Sequence, residues 1–415
     1  GNLEVTTTGG TVTDTGVLAV EGFTKITAIG LDVTLDGDGV NYNNFMGPVQ
    51  IAADDVVLKD TGGIGFAVST VTGNFQVTAG GAVTQSPASG QQLTINGTGK
   101  TIEISGTDIT LDNEANNFVS AVKITTTGSN VHLVDVGAII LGESTVTGTY
   151  KVEAGGAVTQ SGALTITGAT TITAEDSFGT KQQVLLSNAS NDFSKTVGGT
   201  LGGSVGITGA AVSVTDVNDL VLGETTTTGN YTVLAGGGIT DSGVLDVAGT
   251  STFTAGNGEA IILDQVNAAL QSVHDFSGGL TFAASPGNLA GLTVYAVGDI
   301  TLAAFTLVAN GALSGDLSIQ SGRVAQTGAW VIPGTTTISA GNTNITLDNA
   351  ANNFGGAVSV IGWDVELKDA TDGIVLGTST VRGNYTVTAT AGGDITDSGV
   401  LTIDGVATFK AASGQ

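Results

Sequence analysis

The chain has 415 residues, of which 12% are charged and 5% aromatic, and its formal net charge is −26. So acidic a chain excludes the basic stripes with which proteins bind nucleic acid or anionic membrane surfaces. It contains no cysteine, which excludes disulfides and thiolate metal sites, and it has no apolar run of about 18 residues, so we predict no membrane insertion within this segment.

A segment of about 75 residues recurs along the chain. Its mark is a Gly-Asn-aromatic step, or a weaker form of it, which begins at Gly1, Gly73, Gly148, Gly229, Gly315 and Gly383. The steps define modules 1-72, 73-147, 148-228, 229-314 and 315-382 and a partial module 383-415. A fixed period of this kind predicts one continuous β-solenoid over 1-415. Because the chain begins and ends within the repeat, we expect it to be a fragment of a longer polypeptide.

Apolar residues alternate with period two, rich in Val, Ile and Thr, which predicts short strands and almost no helix. In the module from Gly148 the predicted strands are 150–152, 158–160, 164–167, 171–174, 184–186, 205–208, 212–215 and 220–222. Strands this short and numerous favour a right-handed parallel β-helix, with about three strands per turn and about three turns per module. An array of β-sandwiches is the structural alternative.

Three landmarks have a structural interpretation. The aromatic residue of the step is assigned to the core at Phe75, Tyr150, Tyr231 and Tyr385. A Leu-Asp-Asn…Asn-Phe corner predicts an apolar socket for Phe45, Phe118, Phe193, Phe276 and Phe354. In its clearest copies Asp112 and Asp348, with the Asn that follows each, are predicted to cap the turn. An Asp that ends a Val-rich strand is interpreted as a further turn residue at Asp60, Asp135, Asp216 and Asp369.

The segments Gly-Asn-Tyr-Thr-Val from Gly383 and Leu-Asp-Asn-Ala-Ala-Asn-Asn-Phe from Leu347 resemble the β-strand repeats of large bacterial surface proteins. These are the filamentous-haemagglutinin-like proteins and autotransporter passengers. The resemblance covers the whole chain and its motifs describe architecture more than activity. It implies a right-handed parallel β-helix, secretion across an outer membrane, and a fibre at or beyond the cell surface.

The residue pattern predicts no enzyme and no cofactor. A glycosidase needs two carboxylates roughly 5 to 9.5 Å apart, whereas Asp36, Asp112, Asp264 and Asp348 recur at most once per module and would lie about 15 Å or more apart along the axis. His132 falls at an outward position, and His274 lies in a divergent loop with no second histidine that could share a metal. A weak calcium site is the one metal candidate, and its ligands would be Asp36, Asp38 and Asn41.

We therefore expect a non-catalytic structural shaft of an extracellular bacterial surface fibre or adhesin. The alternative is a self-assembling filament or sheath subunit. A lesser alternative is a Thr-rich solenoid that binds ice or glycan, suggested by runs such as Ser144-Thr145-Val146-Thr147 and by two tryptophans, Trp330 and Trp363. Expected partners are other copies of the chain, a host or neighbour-cell surface, or a glycan. The irregular module 229-314 is the first candidate for a contact site.

Overall fold

The structure is a computed structural model that describes residues 1–85, 90–193, 202–267, 272–311, 313–371, 373–390 and 393–412. Within the predicted contact module 229-314, residues 268–271 and 312 lie outside the described residues. The chain forms two compact units, Gly1–Asp216 and Val217–Gln415.

Short strands account for all the regular structure that the described residues form, and these residues build about 18 solenoid turns without a helix. Strands of successive turns pair in parallel throughout each unit. The prediction of an all-β parallel β-solenoid is confirmed. No helix long and apolar enough to cross a membrane occurs among the described residues.

The strands of the first unit are β1 Leu3–Thr6, β2 Val12–Thr13, β3 Ala19–Val20, β4 Thr24–Ala28, β5 Val33–Leu35, β6 Asn44–Phe45, β7 Val49–Ala53, β8 Val56–Asp60, β9 Ile64–Phe66, β10 Ser69–Val71, β11 Phe75–Ala79, β12 Val83–Gln85, β13 Leu93–Ile95, β14 Ile102–Gly106, β15 Ile109–Leu111, β16 Asn117–Phe118, β17 Val122–Thr126, β18 Val131–Asp135, β19 Ile139–Leu141, β20 Ser144–Val146, β21 Tyr150–Ala154, β22 Val158–Gln160, β23 Leu164–Ile166, β24 Thr170–Ala174, β25 Val184–Leu186, β26 Val205–Gly209 and β27 Val212–Asp216.

The strands of the second unit are β28 Leu220–Leu222, β29 Thr225–Thr227, β30 Tyr231–Ala235, β31 Ile239–Asp241, β32 Leu245–Val247, β33 Ser251–Ala255, β34 Ala260–Leu263, β35 Asp275–Phe276, β36 Leu280–Ala284, β37 Gly291–Tyr295, β38 Ile300–Leu302, β39 Phe305–Thr306, β40 Asp316–Gln320, β41 Val324–Gln326, β42 Trp330–Ile332, β43 Thr336–Ser339, β44 Ile345–Leu347, β45 Asn353–Phe354, β46 Ala357–Gly362, β47 Val365–Asp369, β48 Gly373–Leu376, β49 Ser379–Val381, β50 Tyr385–Ala389, β51 Asp394–Asp397, β52 Leu401–Ile403 and β53 Ala407–Lys410.

Each side chain stacks on the side chain one turn away. Val83 pairs with Ile64 in the turn before and with Ile109 in the turn after. All three are fully buried, whereas the strand neighbour Thr84 alternates outward and is partly exposed. The period-two pattern of the sequence therefore sorts residues between an aliphatic core and a polar outer face.

The strands predicted for the module from Gly148 agree closely with the structure. All eight predicted segments lie on strands, β21 to β28, and their ends differ by no more than two residues. Among the described residues of this module β29 is a further strand, which the sequence does not predict because Thr225-Thr226-Thr227 lacks the apolar residues that mark the others.

Candidate functional site

The aromatic residues that the sequence singles out line the core. They are buried at Phe45, Phe75, Phe118, Phe193, Phe276, Phe354, Tyr150, Tyr231 and Tyr385. Burial raises the pKa of Tyr385 to about 12, while the Ser379 hydroxyl opposes part of the shift. These side chains fill the interior of the solenoid.

The Gly-Asn part of the step joins successive turns. A Cβ at Gly73 would lie 2.0 Å from Asp55 Oδ1, so only glycine lets the two turns approach this closely. The Asn74 N–H donates to the same Asp55 oxygen across 2.6 Å, and Asn74 Oδ1 accepts from the Thr101 N–H at 3.0 Å. The step is therefore a link between three turns.

A buried carboxylate clamps the corner phenylalanine of the preceding turn. Asp135 Oδ2 accepts from the Phe118 N–H at 2.6 Å, and Asp135 Oδ1 accepts from the Gly137 N–H at 2.7 Å. Asp60 holds Phe45 and Gly62 in the same way. Burial raises the pKa of Asp60 and of Asp135 above the usual value, and the two N–H bonds offset only part of that shift.

The same Asp–Phe contact recurs in two further repeats, where Asp216 Oδ2 and Asp369 Oδ2 accept from the N–H groups of Phe193 and Phe354. The prediction of a turn residue describes only the Oδ1 bond within the Asp's own turn. The Oδ2 bond to the neighbouring turn was not foreseen.

A buried asparagine bonds the turn before it. Asn116 and Gln85 exchange two amide hydrogen bonds, with Gln85 Nε2 donating to Asn116 Oδ1 at 2.7 Å and Asn116 Nδ2 donating to Gln85 Oε1 at 2.9 Å. Asn116 Oδ1 also accepts from the Leu93 N–H, and Asn116 Nδ2 donates to the Leu111 carbonyl. Every polar atom of this buried amide is thereby satisfied.

We call the set Gln85, Asn116 and Asp135 a corner ladder, because it ties three consecutive turns at one corner. Asn116 reaches back to Gln85, while the Phe118 N–H, two residues further on, reaches forward to Asp135. Equivalent ladders occupy the first, third and fifth repeats, with the members Asp14, Asn43 and Asp60; Gln160, Asn191 and Asp216; and Gln326, Asn352 and Asp369.

The fourth repeat carries different residues at these positions. His274 stands where the others have asparagine, is fully buried, and accepts the Leu245 N–H at Nδ1 across 3.0 Å. Its Nε2 lies 3.3 Å from Oδ2 of Asp241, whose Oδ1 accepts from the Asp264 N–H. Because Nδ1 is an acceptor, a neutral ring carries its proton on Nε2, facing the carboxylate. His274 is thus a buried ladder member, and the expectation of a loop position is corrected.

Ala296 replaces the clamping carboxylate of the fourth ladder. Val297 N–H donates to the His274 carbonyl just as Val136 N–H donates to the Asn116 carbonyl, so Ala296 occupies the position of Asp135. A cavity of about 130 Å³ lies here, lined in part by Phe276, Ala296 and Gly298.

Inward serines divide one strand of a turn into two. β7 pairs with both β9 and β10, and at the break Ser69 Oγ accepts from the Ile51 N–H and donates to the Ala67 carbonyl. Ser144 and Ser379 repeat these bonds. Ser144 opens one of the Thr runs considered for ice binding, but the structure buries it.

The capping of the Leu-Asp-Asn turn comes from asparagine. Asn113 Oδ1 accepts from the Ala115 N–H and Asn349 Oδ1 accepts from the Ala351 N–H. Asp112 and Asp348 are exposed instead. The predicted cap is thus present, but its donor-binding oxygens belong to the residue after each aspartate.

His132 lies on the outer face. Its Nε2 is 3.0 Å from Glu153 Oε2 and its Nδ1 is 4.0 Å from Asp112 Oδ2, while Lys151 bonds the other Glu153 oxygen. Partial burial raises the pKa of Glu153, but the bonds from Lys151 and His132 outweigh it and leave that pKa below its usual value. Among the described residues no group of three or more His, Cys, Asp or Glu is arranged to hold a metal.

The calcium candidate is a self-bonded turn. Asp38 Oδ1 accepts from the N–H groups of Val40 and Asn41, and Asp38 Oδ2 accepts from Asn41 Nδ2. These bonds hold the pKa of Asp38 below its usual value, and the bond from the Asn41 backbone N–H contributes most. Asp36 lies 3.4 Å from Lys59 Nζ. Two of the three predicted ligands therefore already bond each other, and calcium binding stays a prediction.

The two tryptophans differ. Trp330 is buried at the position that corresponds to Leu93 in the second repeat, and its backbone N–H donates to Asn352 Oδ1 at 2.9 Å. Trp363 is 48% exposed. Its location fits a surface contact better than a core role.

The clamping aspartates of the ladders were singled out from the sequence as turn residues, but their glutamine and asparagine members were not, although a signal was present. Val83 and Gln85 are two residues apart on one strand, so the period-two pattern already points Gln85 inward. The recurrence of a polar residue at that inward position in each repeat marks a buried bond, since an unpaired buried amide is costly.

The chain matches the family described as Repeats of unknown function (DUF5649), with six matched segments, 1–52, 53–125, 128–200, 209–283, 292–361 and 362–415. From the second onward, these segments begin 20 to 23 residues before the Gly-Asn-aromatic steps, which is about one turn. The chain matches no curated protein and no solved structure.

Proposed function

The chain belongs to the DUF5649 repeat family, and we propose that it is a non-catalytic structural shaft of an extracellular bacterial surface fibre or adhesin. The observation that carries the proposal is the corner ladder. Four repeats use a buried asparagine, its Gln or Asp partner and a buried aspartate to tie turn to turn, so the repeated chemistry of the chain serves cohesion between turns.

The resistance of such a shaft would arise from two sources. Parallel strand pairing bonds each turn to its neighbours along the backbone, and the ladders add charged and amide bonds that are shielded from water. Pulling along the stack would have to break both at once. The net charge of −26 would keep neighbouring shafts apart and soluble.

We further infer that the coil is right-handed, with about three strands per turn and about three turns per module. The support is the expected hand of parallel crossovers and the spacing of paired residues, such as Val83 with Ile64 and Ile109, which lie 19 and 26 residues away. The strand breaks at the inward serines make the number of strands vary from turn to turn.

Localisation is the first test. Antibodies raised against this segment should label the outside of intact cells of the source organism, and protease added to intact cells should remove the label. Label that appears only after the cells are permeabilised would overturn the proposal. Permeabilised cells and a cytoplasmic marker protein are the matched controls.

Electron microscopy of the purified chain distinguishes the structural shaft from the alternative function, a self-assembling subunit. Single rods that remain separate at micromolar concentration would support a shaft whose contacts lie elsewhere. Rods joined end to end or side by side would support the self-assembling filament or sheath subunit, in which the chain itself is the partner.

A further inference from the structure

We infer that the fourth repeat holds a binding site for a small carboxylate, formed where Ala296 replaces the clamping aspartate. The other four ladders show what this position accepts. In each, a side-chain carboxylate receives the N–H of the corner phenylalanine at 2.6 to 2.8 Å. The fold therefore provides a site that accepts a carboxylate at this corner, and in the fourth repeat Ala296 supplies none.

Two backbone N–H groups supply the recognition. Successive N–H groups of a parallel strand point to opposite neighbours, and the Ser277 N–H bonds the preceding turn at Val247. The Phe276 N–H therefore points to the following turn, toward Ala296, as the Phe118 N–H points toward Asp135. Gly298 corresponds to Gly137, whose N–H donates to the second carboxylate oxygen in the second repeat.

The space at this position is open. A Cβ added to Gly62 or Gly137 would meet the aspartate Oδ1 at 3.4 or 3.6 Å, whereas a Cβ at Gly298 would meet nothing within 4 Å. Phe276 is 8% exposed, against 0% for Phe118. The cavity of about 130 Å³ thus extends from the missing carboxylate to the protein surface.

The cavity lining selects the rest of the ligand. Leu280 and Ile300 are apolar, and Thr301 adds a hydroxyl. Asp299 is the one carboxylate of the lining, and Arg323 Nε lies 3.5 Å from its Oδ2, which offsets the repulsion of an anion. A carboxylate with a short apolar group, such as acetate or propionate, fits this combination better than a long or strongly polar acid.

The test follows the amide resonances of Phe276 and Gly298 in the full chain during titration with sodium acetate or sodium propionate, with sodium chloride at matched ionic strength as the blank. We expect saturable shifts of both amides in the wild type, and a loss of the saturable response in Ala296→Asp, whose own carboxylate occupies the place. A wild type without saturable shifts, or an Ala296→Asp variant that responds like it, would overturn the inference.

Asp135→Ala is the matched second variant, because it creates the same opening in the second repeat. Its Phe118 and Gly137 amides should gain an acetate response that the wild-type second repeat lacks, and the absence of any gain would contradict the recognition by two N–H groups. Sodium glucuronate distinguishes free short acids from sugar acids. A response to glucuronate at least tenfold tighter than to acetate would overturn the assignment to short acids.

Discussion

The corners of the second and fourth repeats have the same backbone arrangement but carry different side chains. In the second, Gln85 and Asn116 exchange two short amide bonds, and Asp135 accepts the Phe118 N–H. In the fourth, the Asp241–His274 contact is longer, at 3.3 Å, and Ala296 offers no acceptor. The comparison teaches that the solenoid tolerates the loss of a carboxylate at this corner. One repeat can therefore lose this bond between turns, and its corner becomes available for another role.

The largest expected effect is loss of the corner ring. Phe118→Asp should reduce the free energy of unfolding by at least about 4 kcal/mol, because it removes core packing and buries a charge. Phe276→Asp should cost less, since that residue adjoins the cavity. Native-state hydrogen exchange of the flanking turns measures both, because a repeat array opens locally.

The control for these substitutions is Thr165→Asp on the outer face, which should change stability by no more than about 0.5 kcal/mol. Equal losses at Phe118 and Phe276 would show that the opening beside Ala296 has no energetic consequence.

Removal of the clamp ranks next. Asp135→Ala should lower local stability by about 3 kcal/mol, because the Phe118 and Gly137 N–H groups lose a shared buried acceptor. Hydrogen exchange at these two amides reports the loss directly. Wild-type exchange rates in the variant would contradict the role of the carboxylate, and Asp112→Ala, at an exposed position on the turn that carries Phe118, is the matched control.

Converting the Asp241–His274 pair of the fourth ladder into the Gln–Asn pair of the second tests these paired side chains rather than the clamping aspartate. Asp241→Gln and His274→Asn should each cost about 1–2 kcal/mol alone, because each leaves a buried polar partner mismatched. Together they should return stability to the wild-type value or above it, since Gln and Asn form two amide bonds in the other repeats. Additive losses in this double-mutant cycle would refute the equivalence of the two pairs.

The smallest effect concerns pH. The folded-state pKa of Asp135 is raised by burial, so the folded protein binds a proton more tightly there than the unfolded chain. The stability from this group is therefore fully present below the unfolded pKa and is lost as the pH rises through the folded pKa. Wild type should gain stability relative to Asp135→Asn as the pH falls from 7 toward 4, measured by denaturant unfolding. A gain in the opposite direction would contradict the raised pKa.

Much of the fold follows from the sequence, since alternation with period two separates inward from outward residues in nearly every strand. The ladder partners do not follow. Gln85 can be assigned to the interior, but its contact with Asn116 depends on how many residues each turn contains, and that number varies from 19 to 26 even around Val83. The difference between Asp135 and Ala296 is likewise visible in the sequence. Its meaning requires the direction of the Phe276 N–H, which only the strand register defines.

The corner ladder also bears on how such chains grow during evolution. Gln85 and Asp135 belong to different turns, so a gene duplication that copied a single turn between them would separate Gln85 from Asn116 or Phe118 from Asp135 and leave buried polar groups without a bond. Duplication of a whole repeat keeps every ladder intact. The ladder would thus favour length changes of one complete repeat and select against shorter ones. This accounts for a sequence period several turns long in a structure whose geometric repeat is a single turn.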